Sequence, residues 1–451
     1  MKENQIALPV DLPNPVLDKP IIVTQLSQVR LNRPVRNQVE MMLRDLDSLL
    51  AEDHPVRVIW AYLSRLDLSA FYNSVKTLQN TPGRPASDPN VLLALWIYAT
   101  IEGVGSSRQL DRLCKEHDAY KWLCGNVPVD YHILSDFRIE HQEALDNLLT
   151  EIIATMMNQE LVTLKRVAQD GTRIRAYAGA GSFRRKDSLE KCLSFAEEQV
   201  KRLKEEQDHP DPKVNLREKA ARERAAEERE KRVQAALKEL SSVQAAKERQ
   251  KHTKSKKERS KVTEARVSTT DPEARVMKMP DGGYRPAYNV QIATDAASGV
   301  IVGTAVVNEG TDAGQAEVME AQIASRSGIH PEDYLIDGGF AGHNTITTLT
   351  KRKIIVYAPV KVPRSANKQC SSPRWGDTPE VTAWRQRMET EEAKDIYRLR
   401  ASTAEWSNAQ LRCHGLARFT VRGIRKTLNM VMLAAIAHNL LRWAALEPKV
   451  A

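Results

Sequence analysis

Two short apolar runs in this chain end in a carboxylate followed by a glycine turn. The first is Lys165-Arg166-Val167-Ala168-Gln169-Asp170-Gly171-Thr172-Arg173, the second Tyr334-Leu335-Ile336-Asp337-Gly338-Gly339-Phe340. Apolar residues before each Asp suit a buried strand, and glycine after it suits a tight exit. Open α/β sheets keep their sites at the carboxyl ends of strands, so Asp170 and Asp337 are expected to meet around a metal ion. The plainer reading makes each a turn Asp after a strand, since Asp-Gly turns are common.

Before the first run the pattern is helical. Asn37–Leu50 and Pro55–Leu66 carry apolar residues at spacings of three and four. Thr81-Pro82-Gly83-Arg84-Pro85 breaks the pattern, and Asp88-Pro89 starts a helix to Glu102 that is apolar on most faces. Helices follow at Arg108–Glu116, from near His132, and at Gln142–Leu161, joined by turns of which Gly103-Val104-Gly105 is the clearest. Short helices so joined fit a helix-turn-helix, which would offer Arg108, Arg112, Lys115, Lys121 and Arg138 to phosphates. A helical bundle with a solvated basic face fits the same pattern.

From Lys186 to about Val262 the chain is mostly Lys, Arg, Glu, Gln and Ala. Leu189, Leu193, Ala196, Val200 and Leu203 fall at heptad spacing. Asp208–Pro212 breaks the helix, and Val214–Gln250 resumes it. An inserted antiparallel helical hairpin is expected. Its basic end, Arg249–Lys261, reads as a phosphate-binding tail or as a solvated linker. Strand patterning then takes over at Tyr284–Thr294 and Val300–Val307 around the loop Asp295–Gly299. A helix at Asp312–Ser327, capped by Thr311 or Asp312, precedes the Asp337 strand. After it come a helix (His343–Lys353), a strand (Ile354–Ala358), a loop (Pro359–Pro379) and helices over Glu380–Leu416 and Arg422–Leu446.

That order is the order of a ribonuclease H-like domain: a mixed five-stranded sheet flanked by helices, with its first and fourth strands adjacent. The division expected is a helical domain at 1–160, an α/β domain at 161–185 and 263–451, and an insertion at 186–262. The chain is 451 residues long, 41% hydrophobic and 28% charged, with net charge +9 and pI about 9.2. The basic balance favours a polyanionic partner. The polar, Pro-rich start has no leader pattern, and no apolar run is long enough for a bilayer, so a cytoplasmic protein is expected. Five scattered Cys, with no Cys-x-x-Cys pair, read as reduced thiols.

A third carboxylate from the last helical region would complete a site for two ions. The candidate is Glu405, with Arg412 seven positions on and near one helical face; Arg400 is a looser match to that face. Glu389, Glu391, Glu392 and Asp395 compete for the role. His343 reads as structural, at a helix start.

These pieces resemble bacterial insertion-sequence transposases of the DDE class, in the group with a Tyr-x-x-Arg…Glu…Lys signature. The resemblance runs through Asp170-Gly171-Thr172, Asp337-Gly338-Gly339-Phe340 and Tyr397…Arg400…Glu405…Arg412, with Arg412 in the usual Lys position. It extends to Gly83-Arg84-Pro85, Ser106–Leu110, Trp122–Gly125, Ser135–Arg138, Thr269–Arg275, Tyr288–Gln291 and Ala437–Leu440.

The resemblance implies that Asp170, Asp337 and Glu405 bind two Mg²⁺ or Mn²⁺ ions. It implies phosphate contacts by Tyr397, Arg400, Arg412 and Arg173, and DNA as partner: the element's terminal inverted repeats and a target duplex. Cleavage and strand transfer by in-line displacement would follow, in a homo-oligomer assembled on DNA. Alternatives are a ribonuclease H-like nuclease that cuts without joining, an inactive DNA-binding descendant, and a membrane-associated basic scaffold.

Overall fold

In a computed structural model of the chain, described residues are 45–75, 77, 85–208, 216–253, 264–361 and 372–447. The Pro-rich start, most of Asn37–Leu50, the breaker before Pro85, the turn after Asp208, the basic segment beyond Thr253 and Cys370 lie outside them. One compact unit is Leu46–Ala451; the other, Met1–Asp45, lies almost wholly outside the described residues.

Seven helices come first: α1 (Pro55–Leu63), α2 (Ser69–Tyr72), α3 (Pro89–Ile101), α4 (Ser107–Glu116), α5 (Asp118–Cys124), α6 (Tyr131–Glu140) and α7 (Gln142–Asn158). Their starts follow the sequence. Asp88 accepts from Asn90 N with Pro89 at the first helical position, Ser106 accepts from Gln109 N, and Asp130 accepts from His132 and Ile133 N. Helix α3 is apolar all round, so it can only be stable inside. Ten of its thirteen residues are buried. It packs against α15 (Ile424–Leu446), the C-terminal helix, which also touches α7 and the sheet. The N-terminal helices and the sheet therefore share one continuous hydrophobic core.

Among the described residues eight strands follow the first helices: β1 (Arg166–Arg175), β2 (Phe183–Arg184), β3 (Val267–Ser268), β4 (Arg275–Lys278), β5 (Tyr284–Asp295), β6 (Ile301–Val307), β7 (Asp333–Leu335) and β8 (Ile355–Tyr357). The main sheet runs β4-β5-β1-β7-β8, and β6 pairs with the other half of β5 on the edge that β4 uses. It has six strands rather than the expected five, because Arg275–Lys278 adds a short edge ladder. β5 is antiparallel to β1, while β7 and β8 are parallel to their neighbours. Ala168 pairs with Leu335. Asp170 and Asp337 each stand two residues further on, so they reach the same level of adjacent strands.

The insertion is α8 (Lys186–Asp208) and α9 (Leu216–Thr253), packed along each other. Leu189 near the start of α8 shares a core with Ala236, Leu240 and Val243 near the end of α9, the pairing an antiparallel hairpin requires. β2 and β3 seal its base through Phe183↔Ser268 and Arg184↔Val267. Two ion pairs tie α9 to the body, Glu239 to Arg275 at 2.6 Å and Glu228 to Arg422 at 3.8 Å.

The remaining helices are α10 (Gln315–Ser327), α11 (His343–Lys351), α12 (Pro379–Arg387), α13 (Glu391–Arg400) and α14 (Trp406–Cys413). The long helix expected over Glu380–Leu416 is thus broken, and a π-turn, Ala401–Glu405, joins α13 to α14. The sequence segments outside the strands prove to be braces. Asn439 clasps both the N–H and the carbonyl of Ile301. Asp271 and Glu273 accept from Gly423 N and Ile424 N at the start of α15.

Candidate active site

Strand β1 leaves its pairing with β7 before Asp170, so that side chain emerges where the sheet opens toward α13 and α14. Both its oxygens are held: Arg400 Nη2 donates to Oδ1 at 2.8 Å and Asn408 Nδ2 to Oδ2 at 2.9 Å. The same Arg400 nitrogen stands 3.9 Å from Asp337 Oδ2. The two carboxylate oxygens therefore lie no farther apart than the sum of those distances, 6.7 Å. Burial pushes the Asp170 carboxyl above the ordinary carboxylate range against the pull of Arg400, and Asp337 and Asp312 push the same way as burial. Asp337 Oδ1 accepts from Gly339 N at 2.7 Å, which fixes the turn after β7.

Glu405 lines a groove with Asp170, Gly171, Thr172, Arg173, Asn408 and Arg412. Its position depends on the π-turn. In an α-helix five residues sweep about 500°, which would leave Glu405 about 140° away from Arg400. A π-turn bonds i to i+5, so the two come onto one side. Arg412 follows two α-turns later and donates to Thr172 Oγ1 at 3.0 Å. Tyr397 is half-buried; burial raises its phenol above the usual value, and Arg400, Asp337 and Asp170 all act on it. Of the competing carboxylates, Glu391 pairs with Lys394 and Asp395 with Arg398.

Two family models match the chain: a transposase domain over residues 44–140 and a transposase DDE domain over residues 371–444. Together the two matches support an insertion-sequence transposase of the DDE class. The second match includes Tyr397, Arg400, Glu405 and Arg412; Asp170 and Asp337 lie outside both. No curated protein matches, and no solved structure matches.

The described residues contain no group of three His, Cys, Asp or Glu side chains that could hold a metal ion. What converges is the Asp170–Asp337 pair, with Glu405 exposed at the groove. The donors fit a hard divalent ion in kind: two carboxylates face one cationic nitrogen, and the buried Oδ1 of Asn408 has no hydrogen-bond partner.

Two expectations change. Arg138, expected on an accessible basic face, is 6% exposed. Its guanidinium donates to Gly105 O at 2.6 Å and stacks over Trp96, and burial pulls its pKa down to about 10. It braces α6 against the turn after α3 and is unavailable to phosphate. Asp312 does not cap a helix, because α10 begins at Gln315 behind Gly314. Its carboxylate turns inward and accepts from Asn289 Nδ2 at 2.7 Å and Gln291 Nε2 at 2.9 Å.

Of the other cations, Arg108 is exposed and lies over the Tyr131 ring, and Arg173 lies 3.7 Å from Asp312. His343, half-exposed, stands 3.6 Å from Asp377, which forms a buried pair with Arg385. That agrees with a structural role. Among the described residues no helix is long and apolar enough to cross a membrane.

Sequence reasoning missed Asn408 and Asp312. Asn408 lies three positions after Glu405, a spacing that shares a helical face, so it was within reach. Asp312 carried no local signal.

Proposed function

We propose that this transposase binds the terminal inverted repeats of its element and catalyses strand cleavage and strand transfer by in-line displacement at phosphorus. The observation that carries the reading is the meeting of Asp170 and Asp337 around one Arg400 nitrogen, at matched levels of adjacent parallel strands. A strand order with β1 between the antiparallel β5 and the parallel β7 supports a ribonuclease H-like catalytic domain.

Asp170, Asp337 and Glu405 would hold two Mg²⁺ or Mn²⁺ ions. Bound there, such ions would activate water or a DNA 3′-hydroxyl and neutralise charge on the leaving oxygen. Arg400 and Asn408 fix the Asp170 carboxylate, so it needs no rotamer search when substrate arrives. Arg173 and Arg412 line the groove on which the scissile phosphate would lie, and each is tethered at one end, to Gly310 O and to Thr172. Tyr397 and Arg400, beside Asp170 and Asp337, would contact phosphate as well. Arg108 on α4 would contact phosphates farther along the duplex.

In this reading residues 1–160 engage DNA, 161–185 with 263–451 carry the chemistry, and 186–262 form an inserted arm. Joining two element ends needs at least two copies, so assembly on DNA is expected, in the cytoplasm.

The test is cleavage of a duplex carrying the element end, with Mg²⁺, by wild type and by Asp170→Ala, Asp337→Ala and Glu405→Ala. Nicking at the element boundary by wild type, and binding without cutting by each variant, is the expected result. A nick never followed by joining to a target duplex would leave a nuclease. Binding without any cutting by wild type would leave a DNA-binding descendant. If Glu405→Ala still cuts, the third ligand is another carboxylate.

A further inference from the structure

Gly171 follows Asp170 directly and Gly339 lies two residues after Asp337, and the Asp312 side chain stands beside both. A Cβ on Gly171 would run into Asp312 Oδ1; one on Gly339 would meet Asp337 Oδ1 first, at 2.9 Å, and stand in ordinary contact with Asp312 Oδ2 at 3.6 Å. The Asp312 carboxylate thus fills the space between the ends of β1 and β7, directly behind the two residues that must act together. Its side chain is 13% exposed.

It is also the end of a buried hydrogen-bond chain across the sheet. Tyr334 on β7 donates to Gln169 on β1 at 2.8 Å; Gln169 donates to Gln291 on β5 at 2.9 Å; Gln291 donates to Asp312. Tyr334 precedes Asp337 by three residues, and Gln169 precedes Asp170 by one. The amides of this chain point their donors toward Asp312, so an acceptor of that reach orients the whole row. Without it, Gln291 and Asn289 lose a shared partner at 0% exposure, and the strand ends lose the filler between them.

We propose that Asp312 is a positioning residue of this transposase: packed tightly against Gly171 and beside Gly339, it sets the spacing of Asp170 and Asp337. The proposal rests on the reading of those two aspartates as the acting pair. Reach and acceptor geometry carry the role, so Asn serves in place of Asp and Ala does not.

The experiment compares wild type, Asp312→Ala, Asp312→Asn and Asp170→Ala in two assays: Mn²⁺ titration by calorimetry without DNA, and cleavage of an element-end duplex. Asp312→Ala is expected to weaken Mn²⁺ binding about tenfold or more and to slow cleavage about 100-fold, with duplex affinity unchanged. Asp312→Asn is expected to restore both to within about threefold of wild type. Should Asp312→Ala lack a cooperative melt, Asp312→Ser, which keeps an acceptor without the reach, takes its place with the same expected losses.

If Asp170→Ala loses both activities and Asp312→Ala (or Ser) loses neither, the positioning role is wrong and the reading of the site stands. An Asn variant as impaired as Ala also overturns it, because charge would then be what matters. If Asp170→Ala binds Mn²⁺ and cuts like wild type, or wild type does neither, the reading of the site falls and takes this proposal with it.

Discussion

The π-turn at Ala401–Glu405 makes a sharp prediction about deletions in a helix that carries site residues. A π-turn holds one residue more than the α-turn it replaces, while the helices on either side keep their phase. Removing Ser402, which is exposed, should let α13 run into α14 as one α-helix, with Arg400, Glu405, Asn408 and Arg412 still facing β1. Removing Ala409, also exposed but within regular α-helix, should not be absorbed. It would rotate every later residue by about 100° and shift it about 1.5 Å, moving each Cα about 3.8 Å on a cylinder of about 2.3 Å radius. Leu411, 1% exposed, would leave the core at a cost of about 2–3 kcal/mol, and Arg412 would leave Thr172. A displacement of about 1 Å already costs about 100-fold in rate, so the Ala409 deletion should show no cleavage. The Ser402 deletion should cut an element-end duplex within about tenfold of wild type and melt at a similar temperature. Two deletions equally inactive, both melting like wild type, would refute the argument that the π-turn sets the phase.

Other outcomes follow from buried groups. Arg138→Met should lower unfolding free energy in urea by about 3 kcal/mol, from the charge-assisted hydrogen bonds to Gly105 O and Thr420 Oγ1 and the Trp96 stack, while the folded fraction binds duplex as before. The folded Asp170 carboxyl titrates above its usual value of 3.8, so the stabilisation from its protonated form is present below that value and is lost as pH rises through the raised one. Asp170→Asn should therefore melt higher than wild type at neutral pH, by a margin that shrinks on acidification, while cleavage is abolished. His438, held down to about 4 by burial beside Gly299 O, behaves oppositely: its contribution is present above 6.5 and lost as pH falls toward 4. That shift is worth about 3 kcal/mol. His438→Gln should flatten the stability profile between those pH values, and an unchanged slope would count against burial as the cause.

The strands leading to Asp170 and Asp337 were readable because burial on both faces leaves an apolar run and because a glycine follows each carboxylate. Helix starts at Asp88, Ser106 and Asp130 were readable because a cap is a local device. The hairpin insertion was readable from its heptads. Contacts across faces were not. Arg138 looks like any basic helix residue until α3 and the Gly105 turn close over it. Asp312 lies in a polar loop and acquires its place only when β1, β5 and β7 are assembled. The π-turn left one trace, the poor phase match between Arg400 and Glu405. β4 escaped notice because a four-residue edge ladder has too few positions to show alternation.

The two-rung ladder at the foot of α8 and α9 makes the insertion a module with a defined seam. Arg184 and Val267 sit opposite each other on neighbouring strands, a separation that a two-residue Asn-Gly turn closes. A shortened chain, with that turn in place of residues 185–266, would keep every strand of the main sheet and the Asp170–Asp337 pair. Among the described residues it would give up the pairs of Glu239 with Arg275 and Glu228 with Arg422, the packing of α8 on α9 and the contacts at their foot. The hairpin is thus a detachable arm, and the same seam could accept an arm of another length or charge without redesign of the core.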